Sequence, residues 1–230
     1  MVELRWWFSM KQQFPKLSIF HTFKTKREQL TGEAIRQRHI ISHLARENSS
    51  TLMTRTAIAQ NIAKKNNLLW KNLYSGVFRD LDEILIPLGI VVEAGRLPLK
   101  RGPKALQEKG VPYYQLTPKG LLVVLAIDNF DQKKTILNEF LSKAEVDDEF
   151  GDVIRTLVKI SPRFTYSMFE IYVKAYCEGK LESLLPFSVS EFQKISKNVF
   201  VIQNELLTGF VMLSKSKKLN VLKFFSKFML

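Results

Sequence analysis

Two clusters of polar side chains in this sequence have the types and spacing to do chemistry. The first is Lys71, Asn72, Tyr74, Ser75 and Arg79, spaced so that several fall on one side of a helix. The second is Arg96, Lys100, Arg101, Lys104 and Lys109, all inside the stretch from Gly95 to Gly110. Their chemistry is recognition. A guanidinium forks onto guanine or phosphate, amide and hydroxyl groups bond base edges or the sugar-phosphate chain, and lysines neutralise phosphates with release of counterions. Catalytic patterns are missing: the sequence has no G-x-x-x-x-G-K-[ST], no G-x-G-x-x-G after a strand and no G-x-S-x-G elbow. Neither an enzyme nor a cofactor is therefore expected. His39 and His43 share the i, i+4 spacing of zinc peptidases, but position 40 is Ile where a general base would stand, so they read as ordinary surface or boundary histidines. The acidic stretch Glu145–Glu149 with Asp152 lacks the ligand spacing of a calcium loop and reads as a solvated linker.

The elements that must position the two clusters follow from periodicity and caps. Thr54 is placed to cap a helix over 55–65, with Met53 and Ile58 as its hydrophobic staple, and Asn66-Asn67 ends it. From about Asn72 to residue 86, Val77, Leu81, Ile84, Leu85 and Leu88 mark one face of a second helix, closed by Pro87 and Gly89. That face turned inward leaves Asn72, Ser75 and Arg79 outward, with Lys71 and Tyr74 at the margin. The competing reading makes Asn72 the helix cap and pairs Arg79 with Asp82 or Glu83 on its own helix. Asp80, Asp82 and Glu83 would repel phosphate from the far end. Ile90–Val92 and Tyr113–Leu116 read as antiparallel strands around the basic loop, and Thr117-Pro118 restarts a helix with threonine as cap. The run RGPK at 101–104 lacks the second arginine of a minor-groove hook and reads at most as a contact to phosphate or the minor groove, a pattern that a solvated basic loop would share.

The run SGVFRDLDEILIPLGIV at 75–91 resembles the recognition helix and first wing strand of archaeal and bacterial winged helix-turn-helix transcription regulators. The run YYQLTPKG at 113–120 resembles their second wing strand entering the next helix. The resemblance covers roughly residues 33–128. It implies a recognition helix over about 72–86 in the major groove of double-stranded DNA and a basic wing at 95–110 on the backbone or minor groove. Gly76 and Phe78 depart from it, since such helices more often carry polar residues there. The alternative function is a winged-helix protein-interaction module in a transcription, replication or chromosome-maintenance complex.

Charge agrees with a polyanionic partner. The chain of 230 residues carries +13, and residues 31–127 hold 14 basic against 7 acidic side chains. One cysteine, Cys177, excludes an internal disulfide and points to a reduced, cytoplasmic and nucleoid-associated setting. Apolar runs such as Leu121–Ile127 are far short of the ~20 residues a membrane span needs, and no signal peptide is read at Trp6-Trp7-Phe8.

The fold class expected is α+β: a basic aromatic arm over 1–32, a winged helix-turn-helix domain over 33–128, and an all-α C-terminal domain over 129–230. The arm either packs through Trp6, Trp7, Phe14 and Phe20, or the true start is Met10. A helix over Glu33–Asn48 with Ile35, Ile40, Ile41 and Leu44 inward opens the second part. The last part reads as helices near 131–145, 149–160, 162–180, 189–213 and 217–229, serving a homodimer or another protein partner. In its final helix, lysines interleave with Leu219, Leu222 and Phe225. Such a stripe docks on its own domain or on a dimer partner more often than on an anionic membrane surface.

Overall fold

Thr31 sets the first helix in place by accepting a hydrogen bond from the Ala34 amide, 3.2 Å away. The computed structural model describes residues 15–65, 70–99, 109–127, 132–144, 146–195 and 200–226. Helix α1, Gly32–Arg46, buries Ala34, Gln37, Ile40, Ile41 and Leu44, whereas Ile35, expected inward, is 40 % exposed. The buried stripe passes through Ala34 and Gln37, which turns the intervening Ile35 outward. Gln37 is fully buried because its amide is used at both ends: Oε1 accepts from Ser18 N at 2.9 Å and Nε2 donates to Glu33 at 3.1 Å. The preceding segment packs on α1 through buried Leu17 and Ile19, and Arg38 Nε donates to the Ile19 carbonyl at 2.7 Å. Trp6, Trp7, Met10 and Phe14 lie outside the described residues.

A 3-10 turn, Ser50–Met53, leads to α2, Arg55–Lys65. The expected cap is present: Ala57 N donates to Thr54 Oγ1 at 3.3 Å, and the staple residues Met53 and Ile58 are both buried. Asn66 and Asn67 lie outside the described residues. Helix α3, Trp70–Arg79, packs against α2 and continues into a π-helical segment, Asp80–Leu85. There the chain closes wider turns, as in the 2.9 Å bond from Ile86 N to Leu81 O. Val77, Leu81 and Leu85 are fully buried, as the periodicity predicts.

Gly89, at φ 66°, turns the chain into strand β1, Val91–Leu97, which pairs antiparallel with β2, Val111–Leu116. Both strands are longer than expected, because Gly95 and Pro112 suggest loop. The register shift between Glu93 and Gly95 leaves Ala94 as a bulge that carries the strand past the glycine. A Cβ on Gly95 would stand 2.9 Å from the Tyr113 ring, which lies over it. A further bridge joins Thr54 to Tyr113, tying the start of α2 to β2.

Helix α4, Pro118–Ala126, has its first-turn proline and its cap as read: Thr117 Oγ1 accepts from Gly120 N at 3.2 Å and donates to Gly89 O at 2.5 Å. Every residue from Gly120 to Ala126 is buried, for α4 packs against both α5, Lys133–Lys143, and α7, Pro162–Cys177. Between these runs α6, Asp148–Ile160. The acidic stretch expected as a linker instead starts that helix: Asp147 accepts from Phe150 N at 3.0 Å, and Asp148 and Glu149 occupy the first turn, where the helix dipole favours negative charge. Phe187 ties this region together, its ring 5.3 Å from Phe169 and 5.5 Å from Phe140.

Within the helix expected across 189–213 the structure describes α8, Val189–Ile195, and α9, Val201–Met212, residues 196–199 lying outside the described residues; α10, Lys215–Ser226, follows. The chain is thus mixed α+β and mostly helical, with ten α-helices and one two-stranded antiparallel sheet among the described residues. Compactness divides it into Met1–Val189 and Ser190–Leu230.

Candidate nucleic-acid interface

On α3, Ser75 and Arg79 are exposed one turn apart. Lys71 and Asn72 fall in the first turn of the same helix, their side chains outside the described residues. Tyr74 is half-buried, its ring 4.4 Å from that of Phe78. Arg79 forms no ion pair with Asp82 or Glu83 among the described residues, because Asp82 is engaged elsewhere. The Arg55 guanidinium reaches its Oδ1.

The acidic end of this helix is arranged quite differently from the sequence expectation. Asp80 does not face outward to repel phosphate: it is fully buried, held by Arg36 Nε at 2.5 Å and Arg36 Nη2 at 3.0 Å. Burial pushes its carboxyl above the ordinary 3.8, and the Arg36 fork pulls it back. Asp82 is 40 % exposed but paired with Arg55. Arg55 lies with its guanidinium 4.5 Å from the centre of the Phe78 ring and 5.2 Å from that of Tyr114. Glu83 remains exposed.

Gly76 and Phe78, at positions where polar residues were expected, each have a physical reason. Phe78 supplies the face on which Arg55 stacks. Gly76 leaves room for Arg36, since a Cβ there would come within 2.9 Å of Arg36 Nε. Arg36 and Arg55 are the residues that sequence reasoning missed, and no local pattern signals them: Arg36 meets an aspartate 44 positions away and Arg55 one 27 positions away.

In the hairpin, Arg96 is exposed but engaged, its Nε donating to Glu93 at 2.7 Å and its Nη2 at 3.3 Å. The bulge at Ala94 separates these two residues on one strand. Arg96 thus carries less free positive charge than expected. Lys109 is exposed at the base of β2. Lys100, Arg101 and Lys104 lie outside the described residues.

His43, expected at the surface or a boundary, is 3 % exposed, with Nε2 2.8 Å from the Leu52 carbonyl oxygen, while His39 is half-buried. No group of three potential metal ligands occurs among the described residues. Cys177 is buried, and burial pushes its thiol up to about 12. No protein-family model, curated protein or solved structure matches this chain.

Proposed function

We propose that residues 33–128 form a winged helix-turn-helix that grips double-stranded DNA. Within that class the particular reading is a sequence-specific transcription regulator, with α3 in the major groove and the hairpin between Leu97 and Val111 on the backbone or minor groove. One observation carries the proposal: Asp80 and Asp82, which would oppose phosphate, are taken up by Arg36 and Arg55, while Ser75 and Arg79 stay open on the outer face of α3. The Thr54–Tyr113 bridge adds support, since it ties the start of α2 to the second strand of the hairpin.

Fluorescence anisotropy of the full chain on duplexes drawn from a random pool, with a salt titration, tests this. Binding should weaken steeply as salt rises from about 50 to about 200 mM. Arg79→Ala should cost about 1–3 kcal/mol on the selected duplex if it grips a guanine, and should weaken all duplexes alike if it grips phosphate. Binding of every duplex as tightly as wild type, with an unchanged melting temperature, would refute a reading role for α3.

A further inference from the structure

The helices α9 and α10 contain no buried residue at all. On α9, Ile202, Leu207, Val211 and Met212 are 76, 63, 71 and 81 % exposed; on α10, Leu222 and Phe224 are each 56 % exposed. In the apolar stripe of the final helix, expected to dock on its own domain or on a dimer partner, Leu219, Leu222 and Phe225 are 52, 56 and 48 % exposed. Scattered exposed leucines are ordinary, but two successive helices that bury none of their leucines, valines and phenylalanines mark a binding region.

Charge decides what covers it. From Val201 to Ser226 the only acidic residue is Glu205, against Lys215, Lys217, Lys218 and Lys223. Three of these lysines crowd the first turn of α10, where the helix dipole already places partial positive charge and favours an anion. A second copy in a two-fold interface would bring the same lysines and the same apolar faces, adding like charge to like charge. An anionic lipid surface answers both features: acyl chains receive the leucines and phenylalanines, and headgroup phosphates meet lysines whose stems reach up from the apolar layer. Each helix has 12 residues, and no helix among the described residues is long and apolar enough to cross a membrane, so this geometry is in-plane.

We propose that α9 and α10 together form a lipid-surface anchor that seats in the headgroup layer of an anionic bilayer. The inference is independent of whether the first unit binds DNA.

Flotation of the full chain with vesicles of equimolar phosphatidylglycerol and phosphatidylcholine, set against phosphatidylcholine alone, tests it. Wild type should float with the anionic vesicles and not with the neutral ones. Because the rest of the chain is also basic, two variants separate its contribution. Replacing Lys215, Lys217, Lys218 and Lys223 by Gln should lower affinity about a thousandfold. Ile202→Ser with Leu207→Ser and Val211→Ser should lower it about tenfold or more while leaving all lysines in place. None of these side chains is buried, so helix content by circular dichroism should be kept. The proposal is overturned if wild type fails to float, if the serine variant floats as wild type does, or if the protein stays off vesicles and light scattering shows a dimer that the serine variant dissociates.

Discussion

Replacing Arg36 by Met would remove both hydrogen bonds to Asp80 while keeping most of the volume of the side chain. Asp80 has no exposed surface, so its carboxylate would be left in a dry site with no counter-charge. Breaking a buried ion pair on one side typically costs about 3–5 kcal/mol, a large share of the ~5–15 kcal/mol that holds a domain together. The pH dependence identifies the cause. Burial already raises the Asp80 carboxyl above 3.8 with Arg36 present, and removing Arg36 raises it further. A raised acid contributes stability that is complete below its unfolded value and is lost as pH rises through its folded value. The gap between Arg36→Met and wild type should therefore be small near the ordinary aspartate value. It should widen by up to about 1.4 kcal/mol per pH unit toward neutrality, until the proton leaves. Urea unfolding followed by circular dichroism across this range measures it, and Asp80→Asn added to Arg36→Met should recover much of the loss at neutral pH. A loss below about 1 kcal/mol at neutral pH, or a loss of equal size at every pH, would refute the account.

Gly76→Ala should destabilise the protein by about 1 kcal/mol although alanine is the better helix former by about 1 kcal/mol, and in the Arg36→Met background the same change should become stabilising. Paired unfolding curves read that change of sign. Gly120→Ala should cost about 3 kcal/mol, the upper end of the range for overpacking, because its Cβ would fall 2.3 Å from the backbone oxygen of Ile90; a melting temperature equal to wild type would contradict it. The Cys177 thiol, pushed up to about 12, should resist alkylation in the native protein and react on unfolding, as mass spectrometry would show. Burial also raises Tyr114, Tyr166 and Tyr176 above their ordinary 10.0, so the stability they contribute should be complete below 10.0 and fall as pH rises above it, visible as a declining melting temperature.

What the sequence made legible was local. Thr54 and Thr117 cap their helices through a side chain and an amide three residues apart, and the buried face through Val77, Leu81 and Leu85 repeats within a few turns. Such signals lie inside a single window. The first strand runs longer than its sequence indicates because a bulge lets a glycine sit inside a ladder, where composition alone reads loop. Asp80 is illegible for a different reason: an aspartate on a helix is normally solvated, and only a distant arginine makes its burial tolerable. The apolar stripe of the last helix was legible, but its exposure depends on what else in the chain packs against it.

The hydroxyl of Thr117 joins the two ends of the β-hairpin independently of its tip, giving its proton to Gly89 O while holding α4 through Gly120 N. The strand pairing closes the same end of the hairpin, with Val91 opposite Leu116. Because one hydroxyl serves both the turn before β1 and the cap of α4, a change at Thr117 would loosen hairpin and helix together, and neither attachment can be altered by itself at that position.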